Sequence, residues 1–163
     1  NIITNLLKTA SNFGINSNRL IFAKHVPVDE HLYRIGKADL FLDTLPYNAH
    51  TTASEALRMG VPVITLIGNA FASRVAASLI NAVDMPELIT DTEDQYESLA
   101  IELALNSTKY NHIKKKLIGN LATSALFNSS NFTKYLELAF ESMHQKSQLE
   151  LEPEHIFVKD LLE

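Results

Sequence analysis

Up to about Thr90 the chain alternates short apolar runs with amphipathic stretches of helical period, and this alternation constrains the fold more than any other feature. Strand, helix and strand in succession are the pattern of a parallel sheet covered by helices. Ile2, Ile3, Leu6, Leu7, Ala10 and Phe13 recur at helical spacing, and Gly14 follows as a helix stop. After the polar turn at Asn16, Ser17 and Asn18, residues 19–23 read as a short buried strand. Pro27, Asp29 and Glu30 open a helix expected to reach Lys37, with the acidic pair suited to its positive end. A second strand is expected at residues 40–42, then a helix over 52–59 stopped by Gly60. Residues 61–66 form the third expected strand, with Pro62 near its start. A helix over 73–82 and a very short strand at 88–89 complete the alternation. From Thr92 the pattern is helical, with breaks near Ser107 and at Asn128, Ser129 and Ser130. The expected fold class is therefore α/β: a Rossmann-like parallel sheet flanked by helices, followed by a helical C-terminal part.

Composition narrows the function. In 163 residues, 46% are apolar, enough for a packed core. Lys and Arg number 14 against 19 Asp and Glu, a net charge of -5. The one basic block, Lys114-Lys115-Lys116, falls in a helical pattern and reads as a solvated face, so nucleic acid is not an expected partner. The absence of cysteine excludes disulfides and thiolate metal sites. No apolar run approaches the roughly 20 residues of a membrane span, and the expected compartment is the cytoplasm. The sequence opens at Asn1, without methionine and inside an apolar-periodic segment, which reads as a piece of a longer protein.

In an open parallel sheet, ligands lie beyond the carboxyl ends of the strands. That rule selects the loops at residues 24–29, 43–52 and 66–74. The second loop ends in His50-Thr51-Thr52-Ala53-Ser54-Glu55, where a helix begins. Backbone N–H groups without intrahelical partners, two hydroxyls and a histidine at one helix start make a cradle for a diphosphate. Thr52-x-x-Glu55 is equally a capping box that needs no ligand, and the two readings are compatible through His50 and Thr51. Glu55, one turn inside the helix and ahead of Gly60-Val61-Pro62-Val63, is placed to accept hydrogen bonds from a ribose diol. His31 and Arg34 stand three apart, on one helix face; by spacing alone His31 is a surface histidine. Arg74 begins a helix, where a cation opposes the dipole, so it is either an ion-pair partner of a carboxylate such as Asp43 or a ligand residue. His112 and His144 read as surface residues, and His25 is left open. No His, Asp and Glu cluster has metal-site spacing, and no Gly-x-Gly-x-x-Gly or Walker-type loop supports a dehydrogenase or ATPase.

Several segments in one order carry a resemblance: Asp29-Glu30-His31, Leu42-Asp43-Thr44, Asn48-Ala49-His50-Thr51-Thr52, Glu55 with Gly60-Val61-Pro62-Val63, Ala72-Ser73-Arg74-Val75-Ala76-Ala77-Ser78, Glu87-Leu88-Ile89 and Leu126-Phe127-Asn128. Together they resemble the C-terminal catalytic lobe of the O-linked N-acetylglucosamine transferase and SPINDLY-like family, over roughly residues 1–145. The resemblance implies a two-lobed glycosyltransferase of which residues 1–146 are the nucleotide-sugar-binding lobe and 147–163 a tail. It implies that Val26 grips the base edge through its backbone, that His31 and Arg34 flank base and ribose, that His50, Thr51 and Thr52 hold the diphosphate, and that Glu55 binds the ribose. It further implies inverting, metal-independent transfer of a sugar, N-acetylglucosamine from UDP-GlcNAc or fucose from a GDP sugar, to protein Ser or Thr. No other cofactor is implied. The acceptor-side residues and a helical-repeat array that recruits protein acceptors would lie upstream of Asn1, so the piece alone should not turn over.

Two departures from the family pattern stand out. Val28 occupies a position that is lysine in the animal enzymes, and Tyr47-Asn48-Ala49 replaces a Cys-Asn-Gly-like segment at the sugar pocket. Two other classes stay open: a non-catalytic sensor or interaction module on the same fold, distinguished by whether His50, Thr51, Thr52 and Glu55 converge on an open cleft, and a sugar-nucleotide epimerase. The Ala72–Ser78 segment argues against the epimerase. Phe132, Leu136 and Phe140 are expected to be unusually exposed.

Overall fold

The computed structural model describes residues 2–158. Three short strands, β1 (Phe41–Leu42), β2 (Val63–Leu66) and β3 (Ile89–Thr90), form a parallel sheet in the order β1-β2-β3. Phe41 lies in register with Val63 on one side of β2, and Thr65 with Ile89 on the other. Parallel neighbours need a crossover longer than a turn. Here α3 (Thr51–Arg58) links β1 to β2, and α4 (Val75–Ala82) links β2 to β3. Every residue of β2 is buried, as befits a central strand covered on both faces.

The core forms around that strand. Val63 and Ile64 pack with Ala53, Ala56 and Leu57 of α3, and with Ala76 and Ile80 of α4. Leu103 of α5 (Glu93–Leu105) joins them, as do Ile113 and Leu117 of α6 (Ser107–Leu121). Alanines on the inner faces of α3 and α4 leave little side chain between the helices and the sheet. Burying a leucine such as Leu57 stabilises such a core by about 1.5–3 kcal/mol.

Helix boundaries follow local chemistry. Gly60 takes φ +72 after α3, and the Val61 amide folds back to the Ala56 carbonyl at 2.9 Å. That left-handed geometry is the usual helix terminator and favours glycine. Asn106 ends α5 and caps α6, its side chain accepting from the Lys109 amide at 3.0 Å. This accounts for the break expected near Ser107. Asn128 caps α7 (Ser129–Gln148) in the same manner. The first helices, α1 (Ile2–Asn12) and α2 (Val28–Ile35), agree with the periodicity, and Gly14 after α1 takes φ +71.

Three expectations are corrected. Residues 19–23 form no strand: a 3-10 turn at Ser17–Arg19 leads into extended chain that pairs with no strand of the sheet, and Ile21 is 88% exposed. An apolar run of that length matches a buried strand in pattern, but a strand exists only through a neighbour's backbone bonds. The helix expected from Ser73 begins at Val75, because Phe71–Ser73 tightens into a 3-10 turn. The strand expected at 88–89 shifts to Ile89–Thr90, behind a 3-10 turn over Pro86–Leu88. Among the described residues, no helix is long and apolar enough to cross a membrane. Of the tail assigned to 147–163, residues 159–163 lie outside the described residues.

Candidate functional site

Asp43 follows β1 directly and organises the loop that it opens. It is buried, and one carboxylate oxygen accepts from the Thr44 amide at 2.8 Å and the Ala49 amide at 2.6 Å. Its other oxygen accepts from the Thr65 hydroxyl at 2.6 Å. A buried carboxylate satisfied in this way closes the loop into one shape. Within the loop, which contains a cis Leu45–Pro46 bond, the Thr44 hydroxyl donates to the Tyr47 carbonyl and the Asn48 side chain donates to the Thr44 carbonyl. The Asn48 amide reaches the Ala72 carbonyl at 2.8 Å and ties this loop to the one after β2.

That second loop depends on Gly68, whose Cβ, if present, would lie 2.7 Å from the Ser73 Cβ. Only glycine permits the bond from the Gly68 amide to the Ser73 carbonyl at 2.8 Å. Arg74 closes the same turn, donating from Nη1 to the Gly68 carbonyl at 2.9 Å. The ion pair with Asp43 considered from sequence is not formed, since Asp43 is committed to Thr44, Ala49 and Thr65.

The two loops deliver His50 to the start of α3. Its ring stacks on Tyr47 at 4.9 Å between centroids and meets the edge of Phe71 at 6.2 Å. His50 is the N-cap residue, yet its side chain makes no capping bond, and its buried Nε2 has no partner. The first intrahelical bond runs from the Ser54 amide to the His50 carbonyl at 3.1 Å. The amides of Thr51, Thr52 and Ala53 therefore lack partners within the helix. The capping box of Thr52 and Glu55 does not form: α3 begins one residue earlier than expected, so Thr52 is inside the helix rather than flanking it.

Glu55 turns to α2 instead. Its Oε2 lies 3.4 Å from Nε2 of His31, with both side chains half-buried. Arg34, one turn further along α2, places Nη2 at 3.1 Å from His31 Nδ1 and donates from Nη1 to the Lys24 carbonyl at 3.0 Å. Thus His31 is no solitary surface histidine; it bridges Arg34 and Glu55.

An open groove of about 580 Å³ runs along the outer face of α3. His50, Thr51, Glu55 and Arg58 line it from α3 and its cap, while Val28 and Phe127 contribute apolar walls from α2 and the turn after α6. Three of the residues singled out in the sequence, His50, Thr51 and Glu55, therefore converge on one open cleft, and His31 and Arg34 are wired to it through Glu55. Thr52 is exposed but does not line the groove. Val26 does not line it either; it is half-buried in the extended segment that Arg34 pins at Lys24. His25, His112 and His144 are exposed.

Sequence reasoning missed Arg58, Ser54 and Phe127 as groove residues, and Asp43 as the organiser of the His50 loop. The first two had a legible signal, since positions 51, 54, 55 and 58 share one helical face. Phe127 and Asp43 lie in segments that carry the family resemblance, but no spacing signalled these roles, which arise from contacts between segments distant in sequence.

Comparison with known proteins matches residues 3–136 to the model of glycosyl transferase family 41. A probable UDP-N-acetylglucosamine–peptide N-acetylglucosaminyltransferase SPINDLY of Oryza sativa subsp. japonica is 33% identical over 86% of this chain and 15% of its own. The corresponding probable transferase SEC of Arabidopsis thaliana is 34% identical over 89% of this chain and 15% of its own. Among solved structures, a mutant O-GlcNAc transferase of Thermobaculum terrenum superposes with a TM-score of 0.77 and 31% identity, over 86% of this chain and 27% of that one. The chain thus spans about 15% of the length of the curated relatives it matches.

Proposed function

Since the chain belongs to glycosyl transferase family 41, we propose that it is the donor-binding lobe of an enzyme that transfers a sugar from a nucleoside diphosphate sugar to protein Ser or Thr. The donor we assign is UDP-N-acetylglucosamine, which the names of the plant relatives favour. The lobe comprises residues 1–146, with 147–163 as a tail, and the acceptor-side half of the reaction belongs to a region upstream in a cytoplasmic parent protein.

The observation that carries this reading is the convergence of His50, Thr51 and Glu55 on one groove at a helix start that no side chain caps. Transfer with inversion expels a nucleoside diphosphate, and the charge that develops on its terminal phosphate must be stabilised. Amides at the start of α3 that lack intrahelical partners, the Thr51 hydroxyl and His50 on the groove, and the Thr52 hydroxyl next in the chain supply that stabilisation without a metal ion. Glu55, one turn further in, accepts from the ribose diol. Val26 meets the base through its backbone. Val28, 68% exposed on the groove wall, offers an apolar surface where a lysine would offer charge.

Calorimetric titration of the chain with UDP and GDP tests the assignment. UDP should bind more tightly than GDP, and His50→Ala and Glu55→Ala should each weaken binding about tenfold, or roughly 1.4 kcal/mol. Binding of neither nucleotide, even with the upstream region restored, would sink the transferase reading and leave a non-catalytic interaction module.

A further inference from the structure

We propose that the sheet takes one further parallel strand, supplied by the region of the parent protein upstream of Ile2, which inserts between residues 20–24 and β1. The proposal rests on the reading of this chain as one lobe of a longer protein, and not on the donor assigned to that lobe.

Two backbone edges await a partner. In β1 the Phe41 amide donates to the Pro62 carbonyl at 2.9 Å, and the Asp43 amide to the Ile64 carbonyl at 3.0 Å. Amides alternate in direction along a strand, so that of Leu42, between them, points away from β2. The Leu42 side chain is 53% exposed. The second edge is the extended run at 20–24. The amides of Ile21, Phe22, Ala23 and Lys24 make no hydrogen bond among the described residues, and Ile21 is 88% exposed. An apolar run with a bare backbone is a template for strand pairing.

The helices decide where these edges lie. α2 packs beside α3, and α3 beside α4, so the three form one layer on one face of the sheet. Right-handed crossovers on one face advance the strands in one direction. α3 and α4 carry the chain from β1 to β2 to β3. α2 leads from the run at 20–24 into β1, which puts that run on the side of β1 away from β2. No bond joins the run to β1, so the two are not neighbours in the sheet.

α1 identifies the occupant. A strand feeding α1 from outside the run would bring α1 into the α2–α4 layer, whereas one lying between the run and β1 would send α1 to the opposite face. α1 packs chiefly on the turn at Ser17–Arg19 that follows it, rather than on that layer. Its Ile2 and Leu6, 78% and 49% exposed, are free to cover such a strand. Flanked on both edges and covered on both faces, the occupant is an apolar run of about five residues rich in Val, Ile and Leu. A longer parent has chain to supply it, since residues 1–163 span about 15% of the length of the relatives they match.

Hydrogen exchange followed by NMR in residues 1–163 alone and in the parent protein tests the proposal. In the chain alone, Leu42 and the amides of 21–24 should exchange at nearly the free-peptide rate. In the parent, Leu42 and alternate amides of 21–24 should slow at least about a hundredfold. Ile21→Asp gives a second readout: the thermal midpoint should hold in the chain alone and fall in the parent. Fast exchange at either edge of the parent overturns the proposal, because a strand between the two protects both. Slow exchange already in the chain alone overturns it too, and a dimer in sedimentation would then assign the edge to a second copy. So does an Ile21→Asp variant that leaves the parent's midpoint unchanged. No arm contains nucleotide, so failure of the donor reading leaves this result intact.

Discussion

Tyr96 reaches from α5 to the carboxyl end of β1, where its hydroxyl donates to the Asp43 carbonyl at 2.8 Å. Burial first, and the Asp43 charge second, raise its pKa above the ordinary 10.0. The fold therefore holds the phenol proton after the unfolded chain has released it. Stability from this source is complete below pH 10 and is lost as pH climbs through the raised folded value. Urea unfolding followed across that range should show the midpoint falling, with a shallower fall in Tyr96→Phe, which cannot ionise. At neutral pH the same variant should lose about 1 kcal/mol with the hydrogen bond. An identical slope in both proteins would exclude Tyr96 as the source. The residue matters beyond stability, because it braces the backbone of the aspartate that shapes the His50 loop.

One helix, α3, joins core and site. Ala53, Ala56 and Leu57 are buried on its inner face, while Thr51, Ser54, Glu55 and Arg58 line the groove on the other. Its N-cap residue makes no side-chain capping bond, so its anchoring comes from the buried face and from its end. Gly60 makes that end, at φ +72, and a Cβ there would come within 3.4 Å of Ile118 Cγ1 on α6. Gly60→Ala should cost about 1–2 kcal/mol, the usual penalty of a left-handed residue. A chemical-denaturation midpoint unchanged by this substitution would mean that the helix ends without that geometry.

The buried core ends with α6, and α7 adds twenty residues of which none is buried. Phe132 is 66% exposed, Phe140 56% and Leu136 41%, as the sequence led us to expect. Replacing these three by serine should leave the thermal midpoint nearly unchanged, because exposed substitutions usually stay within about 0.5 kcal/mol. Fluorescence of a dye that binds apolar surface should fall in the same variant. A large drop in the midpoint would show that this face is packed in solution. The tail turns back on the helix, with Lys146 paired to Glu154.

Alternation of pattern determined the sheet class and its helices, because a period of two or 3.6 is a local property that side chains display in order. Gly60 and Asn128 were legible for the same reason, as each acts within its own turn. The candidate site was legible in part: His50, Thr51 and Glu55 lie in one short stretch at a helix start, and the physics of that terminus is local. Tertiary structure alone decided the rest. Residues 19–23 have the pattern of a strand and no partner to make one. Thr52 and Glu55 have the spacing of a capping box, but α3 starts one residue early and Glu55 faces His31 on another helix. Asp43 binds Thr65, 22 residues away, and Phe127 reaches the groove from after α6. Such contacts depend on which distant segments the sheet brings side by side, and no periodicity along the chain encodes that.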